Sequence, residues 1–381
     1  MTNNISNPIQ SPHARFRQDI VSMHAYAIQD SVGMVKLDAM ENPHRLPADL
    51  QQKLGERLGK LALNRYPDGR VNDLRAALAS YADMPAGYDI MLGNGSDELI
   101  SLLALACDVP PSAASNHNPA VILAPLPGFV MYAMSAQLQG LKFVGVDLTA
   151  DFELDVPAML AAIAQHKPAI TYLAYPNNPT ANLWDDAAMA QIIAGAGKIG
   201  GLVVLDEAYQ PFSSKTYLDT IRANPAEHAH VLLMRTLSKF GLAGVRMGYM
   251  MGPKALISEI DKVRPPYNIS VLNYECALFA LEHKDVFSAQ AGELIAQRAM
   301  LFDTLSSIPN VKAFKSDANM MLLRVQGGND AAAKTFEGMK AKGVLIKNIS
   351  KMHPLLTGCL RLTVGTAEEN ATMVAAIRAS I

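Results

Sequence analysis

A chain of 381 residues exceeds the length at which one hydrophobic core stops growing, so two domains are expected. Hydrophobic residues make up 50% of it, charged residues 18%, and its formal net charge is −2. That is the profile of a packed soluble protein with no electrostatic reason to bind nucleic acid or an anionic membrane. Cys107, Cys276 and Cys359 lie far apart without CxxC spacing and the histidines are scattered, so neither a disulfide framework nor a metal site is suggested. His228 and His230 read as part of a polar, solvated loop. Residues 1–18 are polar without an apolar core, unlike a signal peptide, and no apolar run is long enough to span a bilayer. A reduced, cytoplasmic location is the default expectation.

In chain order, residues 1–34 read as an arm with one short helix near 24–29, where Tyr26 is the notable side chain. Apolar spacing predicts helices over 47–60 and 74–81, separated by the polar turn NRYPDG with Tyr66. A short apolar run at 90–92 enters Gly93-Asn94-Gly95-Ser96-Asp97-Glu98 and then an apolar helix. Small residues at a helix start leave backbone N–H groups at the positive end of the dipole, a natural phosphate site. An ordinary N-cap by Ser96 or Asn94 is compatible with the same sequence.

Short apolar runs at 121–124, 143–146, 170–174, 202–205, 231–234 and 248–251 then alternate with helical patterns at 129–138, 156–165 and 185–196. This alternation predicts an α/β domain with a mostly parallel central sheet flanked by helices. In such sheets function gathers at the carboxyl ends of the strands. Three successive predicted strand ends carry Asn178 in YPNNPT, Asp206 and Tyr209 in DEAY, and Lys239 in TLSK. A helix at 254–263 stops at Pro265-Pro266, and Tyr267-Asn268 reads as a hinge. A long helix at 285–306 leads into a smaller α+β domain, with strands at 311–314, 320–325, 344–346 and 360–363 and helices at 331–341 and 367–379.

The stretch LLMRTLSKFGLAGVRMG, residues 232–248, holds the chemistry together. A lysine in an apolar pocket loses part of its preference for the charged form and becomes a nucleophile near neutral pH. Ser238 and Arg246 can each bind a phosphate, one as a neutral donor and one as a fixed cation. On this stretch alone a surface lysine following a strand fits equally well. Asp206, directly after VVL, is costly if buried alone and needs a partner, which a protonated ring nitrogen provides.

A lysine for an aldehyde, an acid for a pyridine nitrogen, and donors for a ring hydroxyl and a phosphate are the groups that pyridoxal 5′-phosphate requires. With these residues in this order, the chain resembles the fold-type I pyridoxal-phosphate aminotransferases, and within them the histidinol-phosphate aminotransferase family, across nearly its whole length. The matching segments are LDAMENP, NRYPDG, GNGSDELI, PGFVMY, YPNNPT, VVLDEAY, RTLSKFGLAGVRMGY and GCLRLTVGT. The resemblance implies an N-terminal arm (1–34) packing with the small domain, a large cofactor-binding domain (35–267) and a small α+β domain (268–381). It implies that Lys239 carries the cofactor and then moves the proton, and that Asp206 pairs with the pyridine nitrogen. Asn178 and Tyr209 would bond the ring hydroxyl and Phe129 would stack on the ring. The backbone at Ser96 and Asp97, with Ser238 and Arg246, would hold the phosphate. Tyr66 would reach the partner subunit's phosphate, making a homodimer with shared sites the working unit. Arg361 would bind the anionic group of the substrate, with Tyr26 and Tyr267 nearby. The implied reaction exchanges an amino group between L-histidinol phosphate and 2-oxoglutarate, yielding glutamate, in histidine biosynthesis.

The chain departs from the family pattern at several points. Met40 stands where the family has Asn, Ala181 follows PNNPT in place of Gly, and Phe129 replaces a frequent Tyr. The stretch from Lys239 to Arg246 is one residue short. Lys347 occupies the place of an arginine that grips the substrate phosphate in many relatives, keeping the charge without the bidentate fork. Alternatives on the same groups are a threonine-phosphate decarboxylase-like lyase, a broad aromatic aminotransferase, and the effector module of a pyridoxal-dependent regulator.

Overall fold

The computed structural model describes residues 15–23, 29–67, 71–107 and 118–381. The N-terminal unit ends at Val32. Within it Gln18–Val21 forms a single helical turn and Arg17 pairs with Asp19. Residues 24–28, and with them Tyr26 and nearly all of the helix expected there, lie outside the described residues.

From Gly33 to Ile381 the chain is one unit, whose described residues form three sheets. Its strands are β1 (Val35–Lys36), β2 (Tyr88–Gly93), β3 (Val121–Leu126), β4 (Lys142–Asp147), β5 (Ile170–Ala174), β6 (Leu202–Asp206) and β7 (Val231–Thr236). They continue as β8 (Gly248–Pro253), β9 (Val311–Ala313), β10 (Met320–Val325), β11 (Val344–Leu345), β12 (Lys347–Asn348) and β13 (Cys359–Thr363). The seven-stranded sheet has the order β2-β8-β7-β6-β5-β3-β4, with β8 antiparallel to both neighbours and the rest parallel.

The near-continuous apolar runs of these strands follow from burial on both faces. Val203, Leu205, Val231 and Leu233 pack into one core with the helices Val71–Ala82, Val156–His166, Asp186–Lys198 and Val271–Glu282. The alternate residues Val204, Leu232 and Met234 pack into a second core with Ser96–Cys107, Val130–Gln139 and Lys254–Ile260. The four-stranded antiparallel sheet, β12-β13-β10-β9, buries Met321, Leu323, Leu360 and Leu362 against Lys284–Ser306, Gly328–Ala341 and Ala367–Arg378.

Four features differ from the sequence expectation. The run at 344–346 is not one strand: β11 pairs with β1, while β12 turns away to pair with β13. Because β1 adds to the C-terminal region, residues 35–36 sit beside β11 and not beside the seven-stranded sheet. The helix Val271–Glu282 has no counterpart among the predicted elements. It is apolar on nearly every side, burying Tyr274, Leu278, Phe279 and Leu281, so it lacks the one-sided periodicity that marks a surface helix. Its start is signalled only by Ser270, whose hydroxyl accepts the Asn273 N–H. Lastly, the loop 224–230 is largely exposed, as expected, but its two histidines turn inward: His228 is buried, its Nδ1 bonded to the Asn224 carbonyl, and His230 Nε2 bonds the Ile193 carbonyl.

Candidate active site

The carboxyl ends of β5, β6 and β7 open on a cavity of about 340 Å³. Asn178, Asp206, Tyr209, Lys239, Ser96, Asp97, Phe129, Ser238 and Arg246 line it, together with Ala39, Met40 and Glu41. Nine of the sequence-predicted residues therefore meet at one place.

Asp206 is the last residue of β6 and is 4% exposed. Burial lifts its pKa from 3.8 to about 6, and two hydrogen bonds oppose that rise. Tyr132 Oη donates to Oδ2 at 2.7 Å, and the Ala208 N–H donates to Oδ1 at 3.1 Å. The Tyr132 ring stacks on Tyr172, with centroids 4.2 Å apart and 9° between planes, and meets Phe129 edge-on at 5.5 Å. Sequence reasoning passed over Tyr132. Its signal was its place in PGFVMY, one helical turn after Phe129, which puts both rings on the face turned to the sheet.

Behind the cavity Glu207 and Arg235 form a buried ion pair at 2.8 Å that ties β6 to β7. The Glu207 carboxylate also accepts from the Tyr217 N–H at 2.6 Å and from the Thr216 hydroxyl at 2.9 Å. A fully bonded buried pair of this kind fixes the register of the strands bearing Asp206 and Lys239.

Lys239 sits in a single π turn, Ser238–Leu242, directly after β7, with Gly241 at φ 137° closing it. Its Nζ donates to the Ala39 carbonyl at 2.9 Å and lies 6.0 Å from the centroid of the Tyr209 ring. Burial, followed by the nearby Arg361 charge, lowers its pKa from 10.5 to about 8. The amine is therefore partly neutral near physiological pH, as a nucleophile or proton carrier must be.

Asn178 Nδ2 donates to Tyr209 Oη at 3.0 Å, and Arg361 Nη1 donates to Asn178 Oδ1 at 2.8 Å. Arg361 Nη2 donates to the Asp38 carbonyl at 2.9 Å. Arg361 is the third residue of its strand, opposite Leu322 on β10 and Lys347 on β12. Leu322 packs with the core of the seven-stranded sheet, whereas its neighbours Met321 and Leu323 face the small core. Alternation along the strand thus turns Arg361 and Lys347 toward the large sheet. Arg361 reaches Asn178 at the cavity, whereas Lys347 does not line it.

At the other end, the start of the helix Ser96–Cys107, Ser238 and Arg246 converge. Arg246 lies 3.5 Å from Ser238 Oγ and 3.7 Å from Asp97. Thr236, also missed in the sequence, has its Oγ1 2.9 Å from Ser238 Oγ and accepts the Ser238 N–H at 3.1 Å. Burial raises the Asp97 pKa, against the pull of Arg246 and Lys239. The cradle needs its glycines. A Cβ on Gly95 would stand 2.6 Å from Arg246 Nη2, and one on Gly248 would stand 2.7 Å from the Gly95 carbonyl carbon and the Ser96 nitrogen.

Tyr66 and Tyr267 are not part of this cavity. They are 76% and 57% exposed and stack on each other, centroids 4.5 Å apart. The segment 38–41, quoted in the sequence only as a match, turns out to roof the cavity. Its carbonyls accept from Arg361 and Lys239, and the Met40 N–H donates to Thr363 Oγ1 at 3.0 Å.

The donor set fits pyridoxal phosphate: an amine of lowered pKa, a buried carboxylate, an amide bonded to a phenol, and a hydroxyl, a guanidinium and backbone N–H groups at a helix start. Comparison with known proteins agrees. Residues 32–377 match the family described as "Aminotransferase class I and II". The histidinol-phosphate aminotransferase of Polaromonas naphthalenivorans (strain CJ2) is 74% identical over 365 residues, covering 96% of each chain. Among solved structures, the histidinol-phosphate aminotransferase of Sinorhizobium meliloti in complex with pyridoxal-5′-phosphate superposes with a TM-score of 0.80 at 22% identity, covering 96% of this chain and 97% of that one. The L-threonine-O-3-phosphate decarboxylase of Porphyromonas gingivalis does so with 0.73 at 20% identity, covering 90% and 98%. The two structures show the shared fold alone; the sequence identity decides the family. The chain belongs to the class I and II aminotransferases, and among these pyridoxal-phosphate enzymes to the histidinol-phosphate aminotransferase family.

Proposed function

We propose that this enzyme exchanges an amino group between L-histidinol phosphate and 2-oxoglutarate. One observation carries the chemistry: Lys239, Asp206 and the Asn178–Tyr209–Arg361 chain meet at a single cavity, with an anion cradle at its far end. When bound, pyridoxal phosphate supplies a carbonyl for the substrate amine and a protonated ring that takes up electrons.

This chain's residues do the rest. Asp206, held ionised by Tyr132 and the Ala208 N–H, keeps the proton on the ring nitrogen. Asn178 and Tyr209 orient the ring through its hydroxyl, and Phe129 covers one face. The backbone N–H groups at Ser96 and Asp97, with the Ser238 hydroxyl and the Arg246 guanidinium, hold the phosphate. Lys239 moves a proton at the substrate's α-carbon. Arg361 takes the substrate's carboxylate or phosphate bidentately, with Lys347, its neighbour across the strand pair, adding charge. Roles for Tyr26 and Tyr267 near the substrate complete the reading.

Tyr66, exposed and outside its own chain's cavity, would serve the partner's cofactor phosphate in a homodimer. Histidine biosynthesis in the cytoplasm is the corresponding setting. The test is a half-reaction: histidinol phosphate added to holoenzyme should convert the cofactor's visible absorbance without 2-oxoglutarate, and 2-oxoglutarate should restore it. Carbon dioxide release in place of a keto product would instead identify the lyase.

A further inference from the structure

Among the described residues, eight other than glycine hold positive φ, and two of them belong to one buried cluster with Tyr209. Met40 has φ 52° and Ala181 has φ 64°. A side chain in this region crowds its own backbone, which is why glycine or asparagine ordinarily stands there. These are also the two positions at which the chain replaces the asparagine and the glycine of its family pattern. A strained conformation that persists in a buried site points to a use for the side chains that bear it.

The use is visible in the packing. Met40 and Ala181 form one small buried cluster with Tyr209, Ala318 and Met320, all under 9% exposed. They reach it from different directions. Met40 comes from the roof segment, fixed by the Thr363 hydroxyl at 3.0 Å and by Asn319 Nδ2, which donates to the Met40 carbonyl at 3.0 Å. Ala181 ends the loop that carries Asn178. Its N–H donates to the Asn177 carbonyl at 2.8 Å, and its carbonyl accepts the Asp317 N–H at 2.7 Å. Tyr209 therefore has an apolar seat built by two segments whose backbones are pinned independently of it, while its hydroxyl meets Asn178 on the polar side. Methionine suits such a place, because its unbranched chain fills irregular gaps and its sulfur packs well against a ring.

We propose that Met40 and Ala181 are positioning residues that act through Tyr209, seating its ring so that the hydroxyl stays aimed into the cofactor cavity. The inference rests on the reading of Tyr209 as a partner of the cofactor's ring hydroxyl, and its test separates the two. The charged and titratable groups facing the Tyr209 phenol are Arg361 from β13, Asp206 from β6, Lys239 from the π turn and Tyr132 from the helix Val130–Gln139. Asp38 and Glu41 flank Met40 in the roof segment, and Glu41 pairs with Lys36. The substitutions below leave all of these in place.

The experiment is a spectrophotometric pH titration of the bound cofactor's visible absorbance in holoenzyme. Wild type is compared with Met40→Asn, Ala181→Gly and Tyr209→Phe, and with each of the first two combined with Tyr209→Phe. Asparagine and glycine both accept left-handed backbone, so each single variant folds without added strain, which thermal melting checks. Loosening the hydroxyl weakens its hydrogen bond only in part, so Met40→Asn and Ala181→Gly should each move the midpoint by roughly half a pH unit, in the direction of Tyr209→Phe. In the Tyr209→Phe background neither should move it further. A shift of equal size in both backgrounds, or no shift in either single variant while Tyr209→Phe shifts, overturns the inference and leaves the role of Tyr209 standing. No shift in Tyr209→Phe itself overturns both.

Discussion

Asp206→Asn should act in opposite directions on the cofactor-free and the cofactor-bound protein. In the free protein the carboxylate is buried, and its pKa rises from 3.8 to about 6. Between those values the folded state binds more protons than the unfolded state, so stability falls as pH rises from about 4 to about 6. Above pH 6 the full cost of the buried charge remains, about 3 kcal/mol by the displacement of the pKa. Asparagine carries no such charge and still bonds Tyr132 or the Ala208 N–H. The cofactor-free variant should therefore be more stable than wild type by up to about 3 kcal/mol near neutral pH, and nearly equal below about pH 4. Urea unfolding across this range measures the difference. With cofactor bound the sign reverses, because removing one partner of a buried pair costs roughly 3–5 kcal/mol. Part of that falls on the transition state, since a neutral pyridine is a poorer electron sink, so the rate should drop by orders of magnitude and cofactor affinity by less. A stability difference independent of pH, or near-normal turnover, would refute this account of Asp206.

Lys239→Ala should abolish turnover and leave the fold intact; borohydride reduction of wild-type holoenzyme followed by peptide mapping should label this lysine, and a label elsewhere would end the assignment. Mixing Tyr66→Phe and Lys239→Ala homodimers should restore activity above either parent after subunit exchange, because one site of the heterodimer carries neither lesion; a fully active monomer in ultracentrifugation would contradict shared sites. Arg361→Ala should damage both half-reactions, since both substrates are anionic and a charge-assisted hydrogen bond contributes about 1.5–3 kcal/mol. Lys347→Ala should weaken histidinol phosphate more than glutamate, because a phosphate carries close to two charges; equal effects in single-turnover kinetics would remove Lys347 from phosphate selection.

The parts of this molecule that were legible in its sequence are those governed by local rules. The runs Val203–Val204–Leu205 and Leu232–Leu233–Met234 announce strands buried on both faces, and the polar residues that break such runs fall where the strands open on the cavity. What stayed hidden depends on residues distant in the chain. Nothing near Tyr132 indicates that its hydroxyl will meet Asp206, because the pairing is made by a helix packing across the sheet. Nothing near Val35 indicates a strand, because two residues become one only when Val344–Leu345 lies alongside. The roof of the site is the clearest case. Residues 38–41 touch Lys239, Thr363, Asn319 and Arg361, which lie 200 to 323 residues further along the chain, and they do so mainly through backbone groups that every residue possesses. Side-chain identity can reveal such a segment only where the backbone is unusual, and there the two departures from the family pattern, Met40 and Ala181, were visible in the sequence before their shared cluster with Tyr209 was.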